Sequence, residues 1–301
     1  MGATPDPQAN LTSMFLSDER LESIWDDAGR PTIHGAVSRL FLGRGDVVEP
    51  AVEVVGDNIG LVVGDLSLSR FEDDLSRAWP ECADGQERAF RVMSAFARVA
   101  QMAAQAHRAE VVLVDVGPNL GALNRAALIG SDYVVVPLGA DLFSLQGLRN
   151  MGPTLQDWRR QWSERLLRNP AADLPLPAGR MQPIGYVVMR HSVRLDRPAR
   201  AFSRWIERIP AQYREHVLGA PAPEPARVED DPNCLARLKD YRSLMPMAHE
   251  ARKPMFLLRP ADGAFGGHQQ AVRECYGDFD RLSREILDRC DLGLLMPAAS
   301  P

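Results

Sequence analysis

Lysine is almost absent. Of the 35 Lys and Arg residues only Lys239 and Lys253 are lysine, and the rest are arginine. With 40 Asp and Glu residues the formal net charge is −5, which excludes a globally basic nucleic-acid binder. Cysteine is also scarce. Cys82, Cys234, Cys275 and Cys290 form no CxxC pair, and no His/Cys cluster has metal-ligand spacing, so a zinc or cluster site is excluded and four reduced thiols are expected. No apolar run reaches the about 18 residues that a spanning helix needs. The start, MGATPDPQAN, is neither basic nor apolar and so reads as no signal peptide. No Gly-Lys dipeptide occurs: Lys239 follows Leu238, and Lys253 follows Arg252. The six histidines are scattered without a Ser or Cys partner at triad spacing, which argues against a hydrolase triad.

What is present is an alternation. Short β-branched runs at Val52–Val55, Ile59–Val63, Val111–Asp115, Tyr133–Pro137, Ile184–Met189 and Met255–Leu258 predict strands. Helical periodicity falls over Glu87–His107, Leu120–Ile129, Leu145–Leu167, Ala199–Ile209 and Gln270–Leu287. Strands alternating with helices imply crossover connections, and the continuous apolar runs imply strands buried on both faces of a parallel sheet. The Pro-rich segments 169–181 and 219–232 read as surface loops. A single domain, 1–301, is expected.

Two segments carry candidate chemistry. In Glu110–Leu148 four apolar residues, Val111 to Val114, lead into Asp115, then a Gly117-Pro118 turn and a helix. In α/β sheets ligands bind at the C-terminal ends of strands, and an aspartate there can hold the water shell of Mg²⁺ beside a phosphate. On spacing alone a strand ending in a capping Asp fits equally well. The second segment is DPQAN, from Asp6 to Asn10, which alone reads as a turn entering a helix. Glu72-Asp73-Asp74 reads as a solvated helix start, and Trp158, Arg159, Arg160 and Trp162 as an amphipathic helix with its tryptophans packed.

Taken together the segments resemble the ParA/MinD/Soj family of partitioning ATPases, which are P-loop NTPases with a deviant Walker A motif. DPQAN resembles the family's DxDPQxN motif, VVLVDVGPNLG its Walker B strand and turn, VVVPLGADLFSLQGL the next strand and helix, and KDYRSLMPMAHEARKPMF the segment before the last helix. The resemblance implies an α/β, P-loop NTPase-like (SIMIBI-type) fold, a mostly parallel sheet with helices on both faces. It also implies ATP and Mg²⁺ as ligands, a ParB-like activator, non-specific DNA, a nucleotide-bound homodimer, and a cytoplasmic, nucleoid-associated location without membrane binding. By that resemblance Asp6 would sit near the attacking water and Asp115 would hold Mg²⁺ through water. Gln8 and Asn10 would shape the switch loop, and Pro118, Arg190 and Tyr241 would lie near the nucleotide.

The departures from the pattern are specific. The family's glycine-rich loop with its lysines has no counterpart, and Thr4 stands where the first Asp of DxD would be. The first strand and P-loop are therefore expected to be missing, which would expose the backbone edge of the Asp115 strand and leave ATP hydrolysis weak or absent. The alternative is a non-catalytic module of the same body that pairs with an intact paralogue or adaptor. A cobyrinate-synthase-like or iron-protein-like enzyme is a third reading, the latter disfavoured by the absence of paired cluster cysteines.

Overall fold

The computed structural model describes residues 2–3, 10–27, 32–117, 119–191, 204–221 and 227–293. The chain divides into two compact units, the first comprising Met1–Asp132 with Trp158–Met181 and the second Tyr133–Asp157 with Gln182–Pro301.

In the first unit a four-stranded sheet has the order β2-β3-β1-β4, where β1 is Gly2–Ala3, β2 Val52–Gly56, β3 Ile59–Val62 and β4 Leu113–Val114. β1 lies parallel to both β3 and β4, with Gly2 opposite Leu61 and Leu113, and Ala3 opposite Val62 and Val114. The expectation of parallel pairing fails for β2 and β3, which run antiparallel. Only Asp57 and Asn58 separate the paired Gly56 and Ile59, and two residues close a hairpin but cannot make a crossover. The Asp115 strand is paired on one edge by β1 and is the last strand in the order on the other. Leu113 is 65% exposed there, so the burial on both faces expected of the VVLV run does not hold at this position.

Helices α1 (Asn10–Phe15), α2 (Asp18–Asp26) and α3 (Ile33–Phe41) follow β1. Leu16, Leu21 and Ile24 bury against Leu61 and Val63. Helix α4 (Glu72–Ala83) precedes what was expected as one helix over Glu87–His107. That helix is broken into α5 (Glu87–Met93) and α6 (Ala95–Ala106). The break is Ser94, fully buried, with ψ −1° and its hydroxyl bonded back to the Arg91 carbonyl at 3.3 Å, a local bond of the kind that competes with helix continuation. Helix α7 (Ala122–Ile129) follows the Asp115 turn.

The second unit holds the parallel sheet β5-β6-β7, with β5 Tyr133–Gly139, β6 Gln182–His191 and β7 Cys234–Lys239. The first part of α8 (Leu142–Leu166) belongs to this unit and the part from Trp158 to the first. Helices α9 (Ile209–Gln212), α10 (Leu244–Ala251) and α11 (Gly267–Arg289) complete it. Residues 199–203 of the expected Ala199–Ile209 helix lie outside the described residues. Strand β7 was not expected, because Arg237 and Lys239 interrupt its apolar pattern. Both are ion-paired, to Glu229 and Glu274, while Leu235 and Leu238 bury with Val187, Leu244 and Cys275.

The strand expected at Met255–Leu258 is instead a 3₁₀ turn over Met255–Leu257, closed by the Leu257 N–H donating to the Pro254 carbonyl at 2.9 Å. Proline has no N–H for a sheet and a φ suited to opening a helical turn. Phe256 thereby packs on Phe279, with ring centroids 5.4 Å apart.

Segment 169–181 is irregular, as expected, but pinned. The Trp162 indole donates to the Pro177 carbonyl at 2.9 Å. Gly179 takes φ +65° where a Cβ would run into the same indole. In segment 219–232, residues 222–226 lie outside the described residues. Trp158 and Trp162 are both buried, as the packing reading of that helix expects. Trp162 stacks with Trp79 at 6.1 Å, and Arg159 donates to the Met181 carbonyl at 2.6 Å.

Candidate functional site

Asp115 is the first residue past β4 and is exposed. Because β1, β3 and β4 run parallel, Ala3 ends β1 at the same C-terminal end of the sheet at which Asp115 follows β4. Asp6 and Gln8 lie outside the described residues, as does Pro118. Asn10 is the first residue of α1. Two residues on, Thr12 is fully buried and its hydroxyl accepts from the Gly64 N–H at 3.0 Å, which fastens α1 beside the C-terminal end of β3. Asp65 follows, buried, accepting from the Thr32 hydroxyl at 2.9 Å and the Ser67 N–H at 2.8 Å.

In the second unit Arg190 lies next to the C-terminal residue of β6. Tyr241 is a core residue. It is buried among Leu244, Leu258 and Cys275, and its hydroxyl donates to Asp278 at 2.7 Å. Burial and that carboxylate raise its pKa well above the ordinary phenol range. A groove of about 490 Å³ in this unit lies between β7 and α11, and Arg281 and Arg284 in its wall pair with Asp278 and Asp280.

The turn after Asp115 is closed by three residues that sequence reasoning missed. Asn124, 2% exposed, donates through Nδ2 to the Gly117 carbonyl at 2.7 Å, the Asn119 carbonyl at 2.6 Å and Asn119 Oδ1 at 3.2 Å. Asn119 Oδ1 also accepts from the Gly121 N–H at 3.0 Å. Glu72, read from sequence as part of a solvated acidic face, instead accepts from the Ala122 N–H at 2.5 Å and the Leu123 N–H at 2.9 Å. The available signals were faint: one amide in the apolar run ALNRAALI, and a helix start whose N-cap is Gly121 with no capping side chain.

Beneath the turn, Arg125 lies over Trp79 at 4.6 Å and Trp158 at 5.8 Å. Burial lowers its pKa to about 10 against the opposing pull of Glu72. Burial likewise pushes the Cys82 thiol up to about 12, which leaves it protonated and unreactive at neutral pH.

An exposed carboxylate at the tip of a strand is the kind of group that can face Mg²⁺ through water. That ion is held by one or two carboxylates, the rest of its octahedron being water and phosphate. Among the described residues no group of three or more His, Cys, Asp or Glu could hold a metal directly, and no helix is long and apolar enough to cross a membrane.

A family model described as an AAA domain matches residues 4–167. Protein IncC of Escherichia coli is 28% identical over 107 residues, 35% of this chain and 25% of that protein. Chromosome partitioning protein ParA of Caulobacter vibrioides is 25% identical over 138 residues, 46% of this chain and 48% of that protein. The chain thus spans about a quarter and about half of these two curated relatives. Among solved structures, protein DIP2308 of Corynebacterium diphtheriae superposes with a TM-score of 0.64 at 23% identity, covering 83% of this chain and 86% of that one, a likeness of fold.

Proposed function

We propose that this chain, which belongs to the AAA-domain family matched over residues 4–167 and to the ParA/MinD/Soj partitioning ATPases, is a ParA-type partitioning protein with its nucleotide site at Asp115. The observation that carries this reading is the place of Asp115 itself. It stands exposed at the C-terminal end of a strand parallel to the one that leads into Asp6-Pro7-Gln8, where α/β folds bind ligands.

In this reading Asp115 holds Mg²⁺ through water and Asp6 orients the attacking water. Gln8 and Asn10 shape the loop that senses the γ-phosphate, and Pro118, Arg190 and the backbone near Tyr241 border the nucleotide. Mg²⁺, when bound, supplies charge neutralisation at the phosphate oxygens. The nucleotide-bound form pairs with a second copy, contacts DNA phosphates through surface arginines and answers to a ParB-like activator, in the cytoplasm and on the nucleoid.

The 301-residue sequence contains no Gly-Lys dipeptide, so this chain by itself lacks the backbone cradle and lysines that stabilise a transferring phosphoryl group. ATP hydrolysis by the pure chain is therefore weak or absent. Isothermal titration with ATP–Mg²⁺ and a steady-state phosphate assay test this, and micromolar binding with steady turnover overturns it.

A second reading is favoured by one observation. Among the described residues the Asp115 strand ends its sheet, with Leu113 65% exposed, and such an edge suits a non-catalytic module that docks on an intact paralogue or adaptor. A stable monomer in a solution mass measurement counts against it.

A further inference from the structure

We infer that Glu72 is the positioning residue of the Asp115 turn: a carboxylate delivered from α4 that fixes the start of α7 and through it the backbone at Gly117 and from Asn119 to Leu123. The first N–H groups of a helix have no partner within it, and here the N-cap is glycine with no side chain to serve them. Glu72 reaches across 50 residues of sequence and takes two of them, one on each oxygen, Ala122 N–H at 2.5 Å and Leu123 N–H at 2.9 Å. Its negative charge sits where the helix dipole favours it.

Gly121 makes room for this. A Cβ at that position would lie 2.6 Å from Glu72 Oε1 and 3.0 Å from Asn119 Oδ1. The Asn124 amide, one residue beyond Leu123, then ties the helix back to the carbonyls of Gly117 and Asn119. On α4 the residues three and seven positions past Glu72 meet the same helix, for the Leu75 carbonyl accepts from Arg125 at 3.5 Å and the Trp79 ring lies under its guanidinium. One face of α4 therefore carries α7, and the turn two residues after Asp115 is held from that face.

The consequence for Mg²⁺ rests on the proposed function, but the fixing of the turn does not, so two measurements separate them. In the first, amide hydrogen exchange is compared in wild type, Glu72→Gln and Glu72→Ala. Exchange at Ala122 and Leu123 is expected to quicken roughly tenfold in Glu72→Ala, as for loss of a strong cap, and less in Glu72→Gln, while the amides of α6 are unchanged. Gly121→Ala, which displaces the carboxylate without removing it, reproduces the effect and stands in should Glu72→Ala fail to fold. Unchanged exchange at Ala122 and Leu123 in Glu72→Gln and Gly121→Ala overturns the inference.

In the second, ATP binding is titrated at several Mg²⁺ concentrations. Glu72→Gln is expected to need about fivefold more Mg²⁺ for half-maximal binding, with affinity at saturating Mg²⁺ retained. An identical Mg²⁺ dependence in wild type and variant refutes the positioning role. Absence of Mg–ATP binding in wild type accords with the missing phosphate cradle, and the exchange comparison then decides the matter of Glu72.

Discussion

Replacing Asn124 by aspartate changes one atom's chemistry and almost none of its shape, and the structure gives the sign of the result. Nδ2 donates to the Gly117 carbonyl, the Asn119 carbonyl and Asn119 Oδ1, at 2.7, 2.6 and 3.2 Å, from a residue 2% exposed. Asn124→Ala removes the donor. The carbonyls it served border solvent, since Gly117 is half-buried and Asn119 exposed, so water recovers part of the loss and the cost is about 1–2 kcal/mol. Asn124→Asp puts a carboxylate oxygen against the same three oxygens, and its cost is roughly 3 kcal/mol or more.

The order of the two variants is the diagnostic, read from urea unfolding at pH 7 with m held constant. Acid adds a second check. The introduced carboxyl prefers its protonated form in the folded state, so its folded pKa is raised above the unfolded one. Stability is then lost as pH rises through the folded value and is present below the unfolded one. The gap between Asn124→Asp and Asn124→Ala therefore narrows as pH falls, because the protonated carboxyl regains one O–H donor. An Asn124→Asp variant within 0.5 kcal/mol of wild type at pH 7, about the scatter of a neutral surface change, refutes the reasoning, as does one more stable than Asn124→Ala.

Two further predictions concern the framework of each unit. Tyr186, fully buried, donates to Asp231 Oδ2 at 2.7 Å, while Asp231 Oδ1 is served by Asn233. Tyr186→Phe removes the donor that the described residues give this oxygen and is expected to cost about 1.5–3 kcal/mol in chemical denaturation; a cost under about 0.5 kcal/mol would contradict this. For Asp46, burial pushes the carboxyl pKa up, but the Arg98 hydrogen bond, the Val47 N–H and Arg91 outweigh it, and the pKa ends below the usual value. A depressed carboxylate contributes stability above its unfolded pKa and loses it as pH falls through the folded one. Asp46→Asn is thus expected to be about 1 kcal/mol less stable at pH 7 and to draw level with wild type only as pH falls below the depressed folded pKa, by urea midpoints across the acid range.

The helices and strands with long apolar patterns were legible because the pattern and the burial coincide. Tyr133–Gly139 and Gln182–His191 are strands of a parallel sheet, with Val134, Val136, Leu138, Ile184, Tyr186, Val187 and Val188 buried, and their β-branched runs say so. What escaped was decided by pairing rather than propensity. Strand β7 hides behind Arg237 and Lys239, whose charges are cancelled only by Glu229 and Glu274 from elsewhere in the chain. Met255–Leu257 has strand-like residues, yet a proline at its head turns it into a 3₁₀ coil against α11. The antiparallel hairpin at Val52–Val62 was stated by its two-residue connection, Asp57-Asn58, and only the assumption of uniform crossovers concealed it.

The site was legible to the same extent and for the same reason. Asp115 follows from a strand pattern, whereas the groups that hold the turn after it lie far apart in sequence. The pairing of β1 with β4 is two residues deep, Gly2 with Leu113 and Ala3 with Val114, and the other edge of β4 has no strand partner among the described residues. So short a pairing fixes Asp115 weakly from the sheet side. On the chain beyond Asp115, the Asn124 amide holds the Gly117 carbonyl and the Glu72 carboxylate holds the start of α7. In a parallel sheet with deep pairing on both edges, the strand would carry the aspartate and the helix cap would be incidental. Here the order reverses, and a loss at Glu72 or Asn124 is expected to disturb Asp115 more than a change in the exposed Leu113 side chain on β4 itself.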